Sequence, residues 1–144
     1  MKPSLFKILT SNAEEQDSIL KHLSAFNRDK LNIKSEKPSS LPLNFHIKNN
    51  GVIIGGINAN LYFLQSILHI DHLFVDEAYR GLDLGSKLLN HVEEIAKSKG
   101  ARLSHLDTFD FQAKDFYLKQ EYEVFGILDD CPKDHQRFYM KKSL

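Results

Sequence analysis

The stretch LHIDHLFVDEAYRGLDLGSKLLNHVEEIAKSKG, residues 68–100, decides the fold of this chain. Its apolar start predicts a buried strand that ends at Val75, and the amphipathic pattern that begins at Gly85 predicts a helix. A strand that turns through a glycine-bearing loop into a helix directs unpaired backbone N–H groups, and the positive end of the helix dipole, to one point. We therefore expect an anion site at this turn, of the kind that binds phosphate.

The composition is that of a soluble globular protein with a small molecule or another protein as its partner. The 144 residues are 42% hydrophobic and 26% charged, and 19 Lys and Arg balance 19 Asp and Glu. Balanced charge removes the electrostatic argument for binding nucleic acid or an acidic membrane surface. No apolar run is long enough to span a bilayer. The length predicts one domain, residues 1–144.

Cysteine usage favours a reducing compartment. Cys131 is the single cysteine of the sequence, so it forms no internal disulfide and offers no thiol pair to a metal. Met1 is not followed by the apolar core of a signal peptide. We expect a cytoplasmic protein.

Apolar periodicity and turn residues predict a mixed chain of helices and strands. In chain order the predicted elements are a strand at 5–9, a helix from Ala13 with a buried stripe at Ile19, Leu20, Leu23 and Phe26, a loop at 28–42, strands at 43–47, 52–63 and 66–75, a helix ending at Gly100, a strand at 102–108, a helix at 112–120, and strands at 122–128 and 137–141. Asn50 and Gly51 predict a hairpin turn because both accept positive φ. Gly55 suggests a nearby β-bulge.

This order predicts the fold class α/β (α+β). The strand at 102–108 returns after a helix, so it should lie parallel to the strand at 66–75 through a right-handed crossover. The other strand pairs should be antiparallel. We therefore expect a mixed, mostly antiparallel sheet with one central parallel pair and helices on both faces.

Spacing excludes two common phosphate loops. A nucleoside-triphosphate loop needs four residues between its glycines and then lysine before serine or threonine, whereas three residues separate Gly81 from Gly85 and Ser86 precedes Lys87. The dinucleotide fingerprint needs three glycines in a βαβ unit near the first strand, and this chain has two glycines in a later loop.

Two segments, VDEAYRGLDLGSKLL at 75–89 and AKDFYLKQEY at 113–122, resemble the Gcn5-related N-acetyltransferase (GNAT) family, which binds acetyl-coenzyme A (acetyl-CoA). The predicted order of elements is similar to that of the family along nearly the whole chain. LDTFDFQA at 106–113, EVFGILDD at 123–130 and HQRFYMKK at 135–142 are similar to a bacterial subgroup. The resemblance implies the acyl-CoA N-acyltransferase fold and acetyl transfer to a primary amine by direct attack in a ternary complex.

The resemblance also implies how the coenzyme is held, because in the family the backbone N–H groups of this loop bind the diphosphate. The expected cofactor contacts are Phe74, Val75, Arg80, Gly81, Leu82, Asp83, Leu84, Gly85, Ser86, Asp110 and Ala113. The chain departs from the family pattern where Asp83 and Glu121 replace glycines and Asp110 replaces an asparagine. Aspartate tolerates positive φ, so the effect expected of Asp83 is on coenzyme affinity.

For the chemistry, the resemblance implies that Tyr117 protonates the departing thiolate and that the N–H of Phe74 or Val75 stabilises the oxyanion. Strand alternation predicts His69, Asp71, Leu73 and Val75 on one face. His69 stands where several members have a catalytic glutamate, and histidine titrates near neutrality, so His69 is a candidate base. Asp71 is the other candidate, or it orients a cationic amine. A structural role for both is an equally weighted alternative.

The sequence does not identify the amine that accepts the acetyl group. Asp71, Asp129 and Asp130 favour a cationic amine if they line the cleft. His135 and Arg137 are read either as solvated charges or as substrate contacts. His72, predicted on the opposite face from His69, and His22, His46, His91 and His105 are expected to be surface or structural, with no metal-ligand spacing.

Two other functions compete with catalysis. A non-catalytic acyl-CoA-binding or regulatory module would explain Asp83 and Asp110, and a purely structural interaction protein would bind no ligand. Members of the family often dimerise, so the resemblance also raises a homodimer, although the sequence shows no distinctive interface.

Overall fold

The computed structural model describes residues 5–34 and 38–144, and it divides the chain into two compact units, residues 1–36 and 37–144. The two units are described separately, and the single domain predicted above stays a prediction. Part of the predicted loop at 28–42, residues 35–37, lies outside the described residues. None of the helices in the described part of the chain is long and apolar enough to cross a membrane.

In its described residues, 5–34, the first unit has one α-helix, α1, Ala13–Lys30. Asn12 caps it, since its side chain accepts a hydrogen bond from the Glu15 N–H and the Glu15 side chain bonds back to Asn12. The predicted stripe is not buried within this unit, because α1 has no buried residue. The predicted strand at 5–9 was wrong: residues 6–12 have no regular secondary structure, since an isolated apolar run has no neighbouring strand to accept its hydrogen bonds.

The second unit is built on one six-stranded sheet. Its elements are β1 Ser40–Asn49, β2 Val52–Tyr62, β3 Ile67–Val75, a 3-10 turn Glu77–Tyr79, α2 Leu84–Ser98, β4 Leu103–Phe109, α3 Lys114–Lys119, β5 Glu123–Asp129 and β6 Gln136–Ser143. The strand order is β1-β2-β3-β4-β6-β5. Among the strands that the structure describes, β3 and β4 form the one parallel pair, so the predicted sheet class is confirmed.

The β1–β2 hairpin forms as predicted. Asn50 and Gly51 have φ of 49° and 78°, the left-handed values that a tight hairpin turn requires. The register then shifts between Ile47 and Lys48, opposite Gly55, which confirms a bulge next to that glycine.

The parallel pair is short, and this creates the main structural opening of the sheet. Pairing between β3 and β4 is limited to Ile67–His69 with Leu103–His105. Residues 70–75 of β3 and 106–109 of β4 are not paired with each other. We call this opening the interstrand cleft, and the His69 and His105 pair stands at its closed end.

The core lies on the face of the sheet that α2 and α3 cover. Leu88, Leu89, Val92 and Ala96 of α2 and Tyr117 of α3 join Leu61, Leu68, Ile70, Leu106 and Met140 of the strands in one buried cluster. Both helices of this unit therefore share one face. The prediction of helices on both faces stays a prediction, because α1 belongs to the other unit.

A buried polar network ties α2 to the strands. The Tyr122 hydroxyl donates to the Glu93 carboxylate at 3.0 Å and accepts from the Ser104 hydroxyl at 2.7 Å. Lys142 completes the network with an ion pair to Glu93 at 3.0 Å. Burial, followed by the Glu93 charge, raises the pKa of Tyr122 far above its ordinary value. The network satisfies a carboxylate that would otherwise be costly inside the protein.

Candidate active site

The loop between β3 and α2 has the predicted anion-binding geometry. Gly81 and Asp83 adopt positive φ, 82° and 59°. The first α-helical hydrogen bond of α2 runs from the Lys87 N–H to the Asp83 carbonyl, at 3.0 Å. The N–H groups of the three residues before Lys87 therefore have no acceptor one helical turn back. They lie at the positive end of the helix dipole, where an anion is favoured.

The side chain of Asp83 does not accept a hydrogen bond from these N–H groups. Asp83 is the N-cap residue of α2, yet its side chain forms no capping hydrogen bond and is exposed. A capping aspartate ordinarily accepts from the first-turn N–H groups. Arg80 is also exposed, and its Nε donates to the Val75 carbonyl at 3.3 Å, so the side chain is held at the end of β3.

Gly85 brings α3 against the first turn of α2. A Cβ on Gly85 would lie 3.3 Å from Cζ of Phe116 and 3.8 Å from Cγ2 of Val75, so a larger residue would force a shift. Gln120 adds a hydrogen bond from its Nε2 to the Ser86 hydroxyl at 2.9 Å. These contacts hold α3 beside the loop.

Tyr117 is a buried residue whose hydroxyl is not fully sealed from solvent. The residue is 6% exposed, and its ring packs edge-on against Phe116 and Tyr122. The hydroxyl has no hydrogen-bond partner among the described residues. None of the fully buried side-chain polar atoms in these residues lacks a partner, so the Tyr117 hydroxyl must be at least partly accessible to solvent. Burial, followed by the charge of Asp107, raises the pKa of Tyr117 to about 12. The phenol is therefore protonated throughout the neutral range.

Asp110 and Ala113, both predicted cofactor contacts, have protein partners. The Asp110 carboxylate accepts from the Gln136 N–H at 2.9 Å and from His135 Nδ1 at 2.8 Å. The hydrogen bond from the Gln136 N–H has the largest effect in lowering the pKa of Asp110, and the contact with His135 lowers it further. The Ala113 N–H donates to the Thr108 hydroxyl at 3.3 Å. Asp110 thus joins the end of β4 to the start of β6.

The predicted face of β3 is wrong because Asp71 is an extra residue in the ladder. Ile70 pairs with Ala59 and His72 pairs with Asn58, so two strand steps on β3 match one on β2. Such a bulge reverses the alternation beyond it. Leu73 and Val75 therefore lie on the helix-covered face, whereas His69 lies on the other face. His72 shares the face of His69 and is not opposite to it.

His69 and Asp71 nevertheless meet on that second face. His69 Nδ1 lies 2.6 Å from Asp71 Oδ1, and the other Asp71 oxygen accepts from Asn60 Nδ2 at 2.7 Å. The side chains are 26% and 29% exposed. A carboxylate that accepts from Nδ1–H fixes the neutral tautomer and leaves Nε2 as a proton acceptor.

His105, expected from the sequence to be a surface or structural residue, is a further member of this site. Its ring centroid lies 4.6 Å from that of His69, with an interplanar angle of 58°. Burial, followed by the charge of His69, lowers the pKa of His105. The predicted parallel pairing of the two strands was the available signal, but the register that makes these histidines neighbours was not predictable from their spacing.

An ion pair borders the same face. Arg137 lies 2.7 Å from Asp107, and its guanidinium carbon is 5.7 Å from the ring centroid of Phe109 and 5.3 Å from that of Tyr139. The hydrogen bond to Asp107 raises the pKa of Arg137. Arg137, one of the predicted edge residues, is thus an anchored cation.

The remaining acidic candidates lie at the end of β5 and in the turn that follows it. Asp129 accepts from Gln136 Nε2 at 2.8 Å, and Asp130 accepts from the Asp134 N–H at 2.8 Å. Their carboxylates stabilise this turn. Asp71 is therefore the one of the three predicted acidic residues that lies beside His69.

The anion-binding turn and the buried Tyr117 agree with the acyltransferase class that the sequence resemblance implies. The model of the acetyltransferase (GNAT) family matches residues 4–122. The chain therefore belongs to the GNAT family of acetyltransferases, and its cosubstrate is acetyl-CoA.

Individual relatives agree with this assignment. Over 101 residues the chain is 30% identical to a blasticidin-S acetyltransferase from Streptomyces morookaense, covering 69% of this chain and 73% of the relative. The crystal structure of an acetyltransferase from Bacillus cereus is 36% identical, with a TM-score of 0.82 over 98% of this chain and 99% of the other. An acetyltransferase from Bacillus anthracis in complex with acetyl coenzyme A shares the fold at 22% identity, with a TM-score of 0.62 over 78% of this chain and 67% of that one.

Proposed function

We propose that this acetyltransferase moves the acetyl group of acetyl-CoA directly to a primary amine, in a ternary complex. The observation that carries the proposal is the interstrand cleft, which has the anion-binding turn and Tyr117 at the helix-covered face and the His69–Asp71 pair at the other. A thioester placed in the cleft would be reached by the coenzyme from one face and by an amine from the other.

The coenzyme diphosphate is proposed to bind the free N–H groups at the start of α2. Their lack of acceptors and the exposure of Arg80 support this assignment. Gly81, Leu82 and Asp83 form the turn that exposes these groups.

The proposed oxyanion donor is the Val75 N–H. Asp76 donates its N–H to the Ile54 carbonyl of β2 at 2.8 Å. Backbone N–H groups alternate along a strand, so the Val75 N–H is directed away from β2 and the Phe74 N–H toward it. This alternation favours Val75 over Phe74. A backbone donor held by a sheet needs no reorganisation as charge develops on the thioester oxygen.

Tyr117 is proposed as the acid. Its pKa of about 12 lies well above the ordinary thiol value of about 8.5, so transfer to a solvated thiolate would be uphill. A thiolate that forms beside the same buried phenol is desolvated too, and desolvation raises its pKa in the same direction. The proton therefore moves to sulfur as the carbon–sulfur bond breaks.

His69 is proposed as the base. Its Nε2 takes a proton from the bound ammonium, and the Asp71 carboxylate at 2.6 Å stabilises the imidazolium that forms. The neutral nitrogen then attacks the thioester carbon. Asp71 also favours a cationic acceptor, and the relative named for blasticidin S makes an antibiotic amine the first class to test.

The test is the release of free thiol from acetyl-CoA over an amine panel of blasticidin S, a polyamine, an amino acid and a peptide with a free N-terminus. We expect Tyr117→Phe to lower kcat on the accepted amine by about tenfold to a hundredfold with little change in acetyl-CoA affinity. Tyr62→Phe, at the end of β2, is the matched control and should leave kcat unchanged. Turnover that Tyr117→Phe does not slow would remove the acid role, and acetyl-CoA binding without turnover would favour the non-catalytic module.

A further inference from the structure

Two protons must leave the acceptor nitrogen, and the proposed mechanism names a receiver for only one. An ammonium carries three hydrogens and the amide product carries one. The first proton leaves before attack, so that a lone pair is free. The second leaves after the carbon–nitrogen bond has formed. His69 can take the first, and a second acceptor beside it is chemically useful.

His105 is placed for this purpose by the sheet. It pairs in register with His69 at the last step of parallel pairing, so both side chains stand at the closed end of the interstrand cleft. The two rings are 4.6 Å apart at the centroids. No other residue of β4 is a register partner of His69.

The bonding of the two rings differs. Asp71 occupies one nitrogen of His69. The ring of His105 has no hydrogen-bond partner among residues 5–34 and 38–144. Neither of its nitrogens is fully buried without a partner, so both are at least partly accessible to solvent. His105 therefore has a ring nitrogen open to a ligand.

We propose that His105 is a second catalytic imidazole, which accepts a hydrogen bond and then the second proton from the acceptor nitrogen. This role rests on the proposed function. In the full sequence, one ammonium proton goes to His69, the nitrogen attacks, the thiolate takes the Tyr117 proton, and the second nitrogen proton goes to His105.

The surrounding charges fit this order of events. Burial and the charge of His69 lower the pKa of His105, so its ring favours the neutral form before the acceptor nitrogen has bonded. The charged and titratable groups around it are His69 and Asp71 on β3, Asp107 on β4, and Lys141, its register partner on β6. Arg137 lies farther along β6 and pairs with Asp107. Asp71 beside one ring and Asp107 near the other offset the two positive charges that successive protonation would create.

The test compares His105→Leu, which removes both functions, with His105→Gln, which can accept a hydrogen bond but no proton. We expect His105→Leu to lower kcat on the accepted amine by about tenfold or more, and His105→Gln to restore part of that loss. His46→Leu is the matched control, since His46 is exposed on the same face of β1. Calorimetry with acetyl-CoA shows that each variant is folded, and its Kd should not change.

The pH profile separates catalysis from a structural role. With two imidazoles that must both start neutral, the acid limb of log(kcat/KM) against pH should have a slope approaching about two in the wild type and about one in His105→Gln. An unchanged kcat in His105→Leu, or an unchanged slope in His105→Gln, would overturn the assignment and leave the proposed function intact. Acetyl-CoA binding without turnover by the wild type would overturn both.

Discussion

Asp83 sets up a direct test of the coenzyme-binding turn. The residue has φ of 59° and an exposed side chain at the N-terminus of α2. If the CoA diphosphate binds the free N–H groups of this turn, the Asp83 carboxylate lies within several ångströms of it. At about 7 Å in water, two unit charges repel by about 0.6 kcal/mol. Against a diphosphate of about two charges the total is about 1 kcal/mol.

Two substitutions separate charge from backbone conformation. Asp83→Asn removes the charge and keeps a side chain that tolerates positive φ, so we expect acetyl-CoA to bind about fivefold more tightly at low salt. Asp83→Gly should show the same gain in affinity. It should also raise the free energy of unfolding by about 0.5–1 kcal/mol, because glycine adopts positive φ without strain.

The assay is isothermal titration of acetyl-CoA at low and high ionic strength, with thermal unfolding run in parallel. The gain in affinity should shrink at about 0.5 M salt, because screening weakens interactions between exposed charges. Asp129→Asn is the control, since Asp129 carries the same charge at the end of β5. The same Kd for Asp83→Asn and wild type at low salt would refute diphosphate binding at this turn.

Two further predictions concern stability. Lys142→Met leaves Glu93 buried without its cation, so we expect the free energy of unfolding to fall by about 3 kcal/mol. The double variant with Glu93→Gln should recover part of this loss. Urea denaturation measures both changes. Asp110→Asn removes a carboxylate whose pKa is lowered in the folded state. The folding stability that this carboxylate contributes is fully present above its unfolded-state pKa, near 4, and is lost as the pH falls through its folded-state pKa. The wild type should therefore have the higher Tm at pH 6, and the difference should narrow as the pH is lowered from about 5 to 3.

The outcomes that would contradict these predictions are distinct. A Lys142→Met protein as stable as the wild type would mean that water replaces the lysine at Glu93. A difference in Tm that stays constant between pH 6 and pH 3 would mean that the Asp110 carboxylate gains nothing from its bonds to His135 and Gln136.

Most elements of the fold were predictable from short stretches of the sequence. The β1–β2 turn was predictable because Asn50 and Gly51 determine their own backbone conformation. The start of α2 was predictable because a glycine loop precedes an amphipathic run. The strand predicted at 5–9 failed because a strand exists only with a hydrogen-bonded neighbour, which composition does not reveal.

The site was less predictable than the fold, since it depends on register. Asp71 is a bulge only in relation to β2, and His105 is a neighbour of His69 only through the parallel pairing of two strands. Glu93 occupies a buried position of α2 because Tyr122 and Lys142, which are distant in sequence, reach it. No spacing within a single element indicates any of these contacts.

The extra residue at Asp71 also determines how this strand can be compared with others. His69 and Val75 are an even number of positions apart, so a regular strand would show both side chains on one side of the sheet. Here they lie on opposite sides. Where a related strand lacks the extra residue, an alignment that counts back from Val75 without a gap therefore puts a residue from the helix-covered side of that strand in the column of His69. For such a strand, counting from the Ile70–Ala59 pair keeps the residues that share the face of His69 in the same columns.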